Sequence, residues 1–262
     1  MEPPWNEIIE SNEQFLGAWR VFAEGAAEGA VARFDGLAAM YSRVPVMFLN
    51  AIGFTSYVES PADLRTRIDS GQRYAHAAGF PYFFSVCKQL VSPDAREEMD
   101  AAFAEQGLFP FFNWIGMAAD EILPPRREVT GLEIRDVTDP LSRRAVYEIN
   151  CLAYDMPLDP GRDSMDLDSL WAKMHGAVGY VDNMPVATAT AFRVDGRRYV
   201  ALVATLPDYR NRGYAEACMR YALQKAGSGR TILHATEAGH PVYLKMGYRD
   251  VCHFRMYGET QE

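Results

Sequence analysis

Arg210-Asn211-Arg212-Gly213-Tyr214-Ala215 lies within the stretch whose reading decides the fold, Tyr199 to Tyr248. Before it, Tyr199-Val200-Ala201-Leu202-Val203-Ala204-Thr205 is a β-branched and apolar run, long enough for a buried strand, and Pro207 ends it. After it, Glu216, Arg220 and Gln224 recur every fourth residue while Ala215, Cys218, Met219, Ala222 and Leu223 fill the opposite side. That is the period of an amphipathic helix. A strand therefore feeds the turn and a helix leaves it.

The first amides of a helix have no partner inside it, and the macrodipole places partial positive charge there. Gly213 has no Cβ and Ala215 the smallest one, so phosphate oxygens can approach the backbone, and Arg210 and Arg212 add charge. The chemistry this points to is capture of a pyrophosphate. A basic, glycine-containing turn that only connects a strand to a helix would use the same residues.

The rest of the stretch narrows the choice. Thr231 to Ala235 reads as a second strand, Thr236 to Gly239 as a loop, and Pro241 to Met246 as a short helix with proline in its first turn. Gly247 suits a left-handed cap, and Tyr248 opens another strand. This order resembles the GNAT family of acyl-CoA-dependent N-acetyltransferases. The family's pyrophosphate loop reads Arg/Gln-x-x-Gly-x-Gly/Ala and its last helix ends Tyr-x-x-x-Gly-Phe/Tyr. Arg210, Gly213 and Ala215 meet the first pattern, and Tyr243, Gly247 and Tyr248 meet the second.

The resemblance implies an α/β (α+β) acyl-CoA N-acyltransferase fold: a mixed, mostly antiparallel central sheet flanked by helices. It implies acetyl-CoA as co-substrate, with the acyl and pantetheine arm along Val203, Ala204 and Thr205 and the pyrophosphate at Arg210, Asn211, Arg212, Gly213, Tyr214 and Ala215. It makes Tyr243 the catalytic candidate, a phenol able to protonate the departing thiolate, although an aromatic packing the last helix would look the same. The implied acceptor is a primary amine of a small molecule or peptide. A CoA-binding or interaction protein without turnover is the alternative. His234 is a weaker candidate for proton uptake, and His240 reads as a helix-start residue that caps or faces solvent. For a general base the chain offers only Glu148, Asp155 and Glu237, on segments that border the substrate side in the family, with Tyr154, Asp155 and Met156 as candidate pocket lining by analogy of fold.

Composition agrees with a globular protein. The 262 residues carry a formal net charge of -9, which disfavours nucleic-acid binding through phosphates and attracts a cationic amine. Cys87, Cys151, Cys218 and Cys252 are widely spaced and form no Cys-x-x-Cys pair, so neither a metal nor a disulfide framework is expected. No segment has a secretory pattern or approaches the ~18 consecutive apolar residues of a membrane span. The expected setting is the cytoplasm, without membrane contact.

Upstream, Glu7 to Ala39 reads as one or two helices and Val44 to Ile52 as a strand. A helix capped by Ser60 runs from Pro61 to about Ala78, followed by a strand at Phe80 to Val86. A second capped helix runs from Ser92 to Gln106, followed by a strand at Leu108 to Met117. Strand, helix, strand, helix, glycine, strand repeats the order of the C-terminal stretch. A degenerate GNAT-like copy is therefore expected in residues 1–122, a linker in 123–131, where prolines and charges favour a solvated connection, and the catalytic copy in 132–262. The first copy lacks the Arg-x-x-Gly-x-Ala turn and is expected to hold no cofactor. From Leu132 onward the reading is a strand to Val137, a helix from Asp139 to about Leu152, a second from Met165 to Met174, and a meander turning at Asp182-Asn183 and Asp195-Gly196.

Overall fold

The computed structural model describes residues 3–158, 161 and 164–259. Two compact units emerge, and neither is one continuous segment. The first comprises Met1–Ala118, His234–Pro241 and Arg249–Glu262, and the second Ala119–Leu233 and Val242–Tyr248.

The first unit opens with helix α1 (Trp5–Gly25), then the hairpin of β1 (Ala30–Phe34) and β2 (Leu37–Tyr41). The hairpin corrects the sequence expectation of helix to Ala39. Asp35 and Gly36 both take positive φ, 48° and 74°, the Asp-Gly turn that matches strand twist. A 3-10 turn at Met47–Leu49 follows Pro45, so β3 starts only at Asn50 and runs to Phe54. Helix α2 (Pro61–Ala78) is as expected, with Ser60 Oγ accepting from Asp63 N and Gly79 closing it at φ 73°. β4 (Phe83–Cys87) follows, then α3 (Pro93–Glu97) and α4 (Met99–Ala104), which divide the single helix expected there, and β5 (Leu108–Ala119). The chain's last strand, β11 (Arg249–Glu259), pairs antiparallel with both β4 and β5, giving the order β1-β2-β3-β4-β11-β5. Leu64, Ile68, Phe84, Phe103 and Tyr257 fill the core of this unit, with Phe103 stacked on Tyr257 at 3.8 Å.

The second unit has strand order β10-β9-β8-β7-β6. β6 (Glu133–Asp136) leads to α5 (Pro140–Ala153), opened by a reciprocal cap in which Asp139 accepts from Ser142 N and Ser142 Oγ accepts from Asp139 N. The helix expected over Met165 to Met174 shrinks to one turn, α6 (Asp168–Trp171), because Met174 already begins β7 (Met174–Val181). β8 (Met184–Val194) and β9 (Arg197–Thr205) complete the meander, with Asp182, Asn183, Asp195 and Gly196 at positive φ in its two turns. Then come α7 (Tyr214–Lys225), β10 (Thr231–Ala235) and α8 (His240–Lys245). Val178, Ala189, Cys218, Met219 and Leu223 are buried as α7 packs on β7 and β8.

The fold is mixed and mostly antiparallel, as expected, and strand–helix–strand–helix–glycine–strand recurs in both halves of the chain. β3 pairs parallel with β4, and β9 with β10. Residues 123–131 are not a free connection. Leu123 N donates to Met246 O and Arg220 donates to Leu123 O, so this segment is held on the second unit.

Candidate active site

Strand β9 departs from regular pairing on both sides. Against β10 it pairs at two positions only, Arg198 with Thr231 and Tyr199 with Ile232, although β9 continues to Thr205. Against β8 the register shifts between Thr188–Ala204 and Thr190–Ala201, leaving Leu202 and Val203 without partners. Leu202 sits at φ 52°, a left-handed conformation that costs a branched residue roughly 1–2 kcal/mol. This is a β-bulge, a device that bends a strand and re-aims its groups. Beyond it Leu206 N donates to Val186 O at 2.9 Å. Antiparallel bonds alternate, so Thr205 and Val203 turn their peptide groups away from β8, toward the side that β10 has left open.

Other side chains meet those groups. Tyr154 Oη donates to Val203 O at 3.1 Å, and Arg210 Nε to Thr205 O at 3.3 Å. Ala204 is buried and stays in register with Thr188. The open edge therefore runs over Val203 and Thr205, two of the three positions expected to hold the acyl arm.

The turn follows at once. Asn211 (φ 64°) and Gly213 (φ 85°) take left-handed backbone, and Gly213 is the cap residue of α7 with no side chain accepting from the helix amides. Glu216, in the first turn, is drawn instead to Arg220 at 2.8 Å. Arg210 Nη2 donates to Ala153 O (2.8 Å), Arg212 Nη2 to Asp208 O (3.1 Å), and Arg127 Nη2 to Asn211 O (2.9 Å). Their other contacts are the Thr205 carbonyl for Arg210 and the Tyr209 ring for Arg212. Among the described residues none of the three guanidiniums is paired with a carboxylate. Three cations thus gather at the positive end of a helix, which favours an anion there. Tyr214 is buried and Ala215 half-buried, so the amides rather than these side chains face the turn. Sequence reasoning missed Arg127, which lies 84 positions before the carbonyl it binds and matches no motif.

Tyr243 is buried on α8, its ring 6.0 Å from that of Tyr248. Burial, reinforced by Tyr154 and Tyr248, holds its phenol well above the usual range, so it stays protonated. Gly247, at φ 96°, ends the helix as expected, and a Cβ there would lie 2.9 Å from Leu123 Cγ. Met246 N and Tyr248 N both donate to Tyr243 O, fixing the end of α8.

The histidines belong to the first unit. His234 is packed edge-on against the stacked rings of Phe15 and Phe254, with Nε2 3.3 Å from Ser11 Oγ, and burial pushes its pKa down to about 3. His240 Nε2 is 2.7 Å from Asp250 Oδ1. Asp155 and Glu237 are exposed and Glu148 half-buried. Among the described residues no group of three or more His, Cys, Asp or Glu side chains is arranged to hold a metal, and no helix is long and apolar enough to cross a membrane.

Residues 172–250, from the start of β7 into β11, match the family model of the acetyltransferase (GNAT) domain. Similar solved structures extend the likeness in fold to nearly the whole chain. A GCN5-related N-acetyltransferase from Kribbella flavida has 18% identity and a TM-score of 0.69, over 98% of this chain and 95% of that one. A conserved protein of unknown function from Staphylococcus epidermidis has 13% identity and a TM-score of 0.62, over 88% and 93%. A GCN5-related N-acetyltransferase-like protein from Streptococcus suis has 15% identity and a TM-score of 0.56, over 97% and 99%. No curated protein matches in sequence.

Proposed function

The chain carries a GNAT acetyltransferase domain, and from that premise we propose that it is an acetyl-CoA-dependent N-acetyltransferase acting on a primary amine of a small molecule or peptide, with one cofactor site, in the second unit. The observation that carries this reading is the open edge of β9 leading directly into an uncapped helix start. An extended amide-bearing arm can lie along this edge as a strand would, meeting the N–H groups of Val203 and Thr205, whose carbonyls Tyr154 and Arg210 hold. At its end, the pyrophosphate meets the amides after Gly213 and the guanidiniums of Arg210 and Arg212. Acetyl-CoA supplies an activated acyl group as a thioester.

The protein's part in the transfer is to hold, polarise and move protons. The amine nitrogen bonds to the acyl carbon, the carbon–sulfur bond breaks, the amine gives up a proton to solvent, and the sulfur accepts one. A backbone N–H on the open edge of β9, that of Val203, is the donor for the acyl oxygen. Tyr243 is the proton donor for sulfur. Burial disfavours any anion formed beside it, thiolate included, which matches donor to acceptor despite the raised phenol. The net negative charge of the protein attracts a cationic amine.

The N-terminal repeat is read as a degenerate copy without cofactor. β3 and β4 stay in register over Ala51–Phe83, Ile52–Phe84 and Gly53–Ser85, and Val58 bridges Val91 beyond them, so the pair is closed where β9 and β10 part. The test is turnover: CoA release on a panel of primary amines, with acetyl-CoA binding measured by calorimetry. Binding without CoA release on any amine would favour a non-catalytic CoA-binding protein, and absence of binding would remove both readings.

A further inference from the structure

The tyrosine at the end of α5 has no place in the motifs, yet its hydroxyl reaches across 49 positions of sequence to Val203 O, at 3.1 Å. Its neighbourhood is firmly built. Tyr154 N donates to both Asn150 O and Cys151 O, and Met156 N to Cys151 O. Arg210 Nη2 holds Ala153 O at 2.8 Å, tying the same helix end to the phosphate turn. Asn150 Nδ2, bonded within the helix to Val146 O at 2.8 Å, lies 3.5 Å from Leu202 O. The end of α5 thus reaches both carbonyls of the bulge, those of Leu202 and Val203, which the register shift has taken out of the β8 ladder.

A carbonyl freed from a sheet must be satisfied by something. In an extended strand the N–H and C=O of one residue point to the same side, so Val203 O stands beside the Val203 N–H. A carbonyl with bare lone pairs there would repel the oxygen of an acyl group seeking that N–H. A hydroxyl donated to it removes the repulsion and fixes the peptide planes of a strained bulge.

We propose that Tyr154 is a positioning residue for acyl transfer: by donating to Val203 O it locks the β9 bulge and leaves the Val203 N–H as the donor to the acyl oxygen. This rests on the acetyltransferase reading above. Burial raises the Tyr154 phenol, mainly by desolvation, so the hydroxyl remains a donor throughout the neutral range. Tyr154 as a whole residue is 42% exposed although its hydroxyl is desolvated, so removing the hydroxyl alone creates no cavity.

The test is Tyr154→Phe in the full chain, read first by infrared spectroscopy of bound acetyl-CoA labelled with carbon-13 at the acyl carbonyl, without any amine. In the wild type the carbonyl stretch is expected below its value in water, the mark of a polarised bond. In the variant it returns toward the free value. Affinity for acetyl-CoA is expected to hold within about twofold while kcat on an accepted amine falls about 10-fold, the scale of one neutral hydrogen bond. A folded variant with an unmoved stretch overturns the role of Tyr154 and leaves the acetyltransferase reading standing. So does a variant that loses affinity in parallel with thermal stability, which would make Tyr154 a packing residue. A wild type that binds no acetyl-CoA overturns both.

Discussion

Arg127 stands over Gly213: a Cβ built on that glycine would lie 3.4 Å from the guanidinium Nη2 and 3.1 Å from Val129 Cγ2. Together with φ 85°, this makes Gly213 a position that tolerates no side chain freely. Gly213→Glu combines backbone strain of roughly 1–2 kcal/mol with a carboxylate placed where phosphate is proposed to sit. Acetyl-CoA binding is expected to disappear while the variant remains folded with a lowered melting temperature. Calorimetry decides it, and unchanged affinity in the variant would move the phosphate site elsewhere.

The helix that follows each parallel strand pair's first member starts differently in the two units. At α2, Ser60 Oγ accepts from Asp63 N, and Asp63 itself, bonded to Arg67 and to Glu59 N, is held below the usual carboxylate range. Arg67 is taken up by the carbonyls of Ser56 and Tyr57. That helix start already has its acceptor and its negative charge, and an anion would have to displace both. One acetyl-CoA per chain is therefore expected in a calorimetric titration. A stoichiometry of two would count against this contrast.

Deleting residues before Leu123 removes both partners of β11. Val251, Cys252, Phe254, Met256 and Tyr257 on that strand are buried, and β4 and β5 flank it on either side. The truncated chain is expected to be insoluble or to expose apolar surface to a hydrophobic dye. A soluble, cooperatively unfolding fragment would show that β11 has another way to bury itself.

His234 ties stability to pH. Its native pKa of about 3 lies below the ordinary 6.5 because packing of the ring against Phe15 and Phe254 desolvates the charged form. Below pH 6.5 the unfolded chain takes up a proton that the native state refuses. The contribution is full above 6.5 and is lost progressively as pH falls toward 3, at a limit of about 1.4 kcal/mol per pH unit. Urea unfolding between pH 6.5 and 5, above most carboxylate titration, is expected to show this slope in the wild type and a flatter one in His234→Gln. Equal slopes would mean that the ring is protonated in the native protein.

What could be read in advance follows the range of the interactions. The turn at Gly213, the cap at Gly247 and the meander turns at Asp182-Asn183 and Asp195-Gly196 are local, set by residues that tolerate positive φ, and the sequence displays them. The Asp35-Gly36 hairpin carries the same signal, but the Ala- and Glu-rich composition around this two-residue turn favours helix. Met165 to Met174 has helical spacing, yet pairing of Met174 with Phe192 claims that residue for the sheet. The site divides in the same way. Its phosphate turn and Tyr243 announce themselves by spacing. The bulge at Leu202 does not, because nothing in Ala201-Leu202-Val203 favours left-handed backbone and only the mismatch with β8 imposes it. Arg127 reaches the site through a contact far apart in sequence, beyond any periodic pattern; Tyr154, expected only as pocket lining by analogy of fold, reaches Val203 O in the same way.

Tyr243 offers the sharpest test of mechanism. Its phenol is buried and raised, by desolvation first and by Tyr154 and Tyr248 second, so ionisation of Tyr243 contributes no alkaline limb to a rate profile below about pH 10. Phe in its place keeps the ring contact with Tyr248 and removes only the proton. If Tyr243 protonates the departing sulfur, Tyr243→Phe lowers kcat by roughly 100-fold or more, the scale for a positioned general acid. The affinity for acetyl-CoA hardly changes, since the phosphate turn is untouched. The drop should be uniform across pH 7–9, because a group that remains protonated throughout removes a constant factor and not a limb. A purely structural Tyr243 gives the reverse pattern, with kcat near wild type and, at most, a small loss in melting temperature. Steady-state kinetics on any accepted amine, with acetyl-CoA affinity measured separately, distinguishes the two, and a folded Tyr243→Phe enzyme with undiminished kcat would take Tyr243 out of the chemistry and leave sulfur to be protonated by solvent.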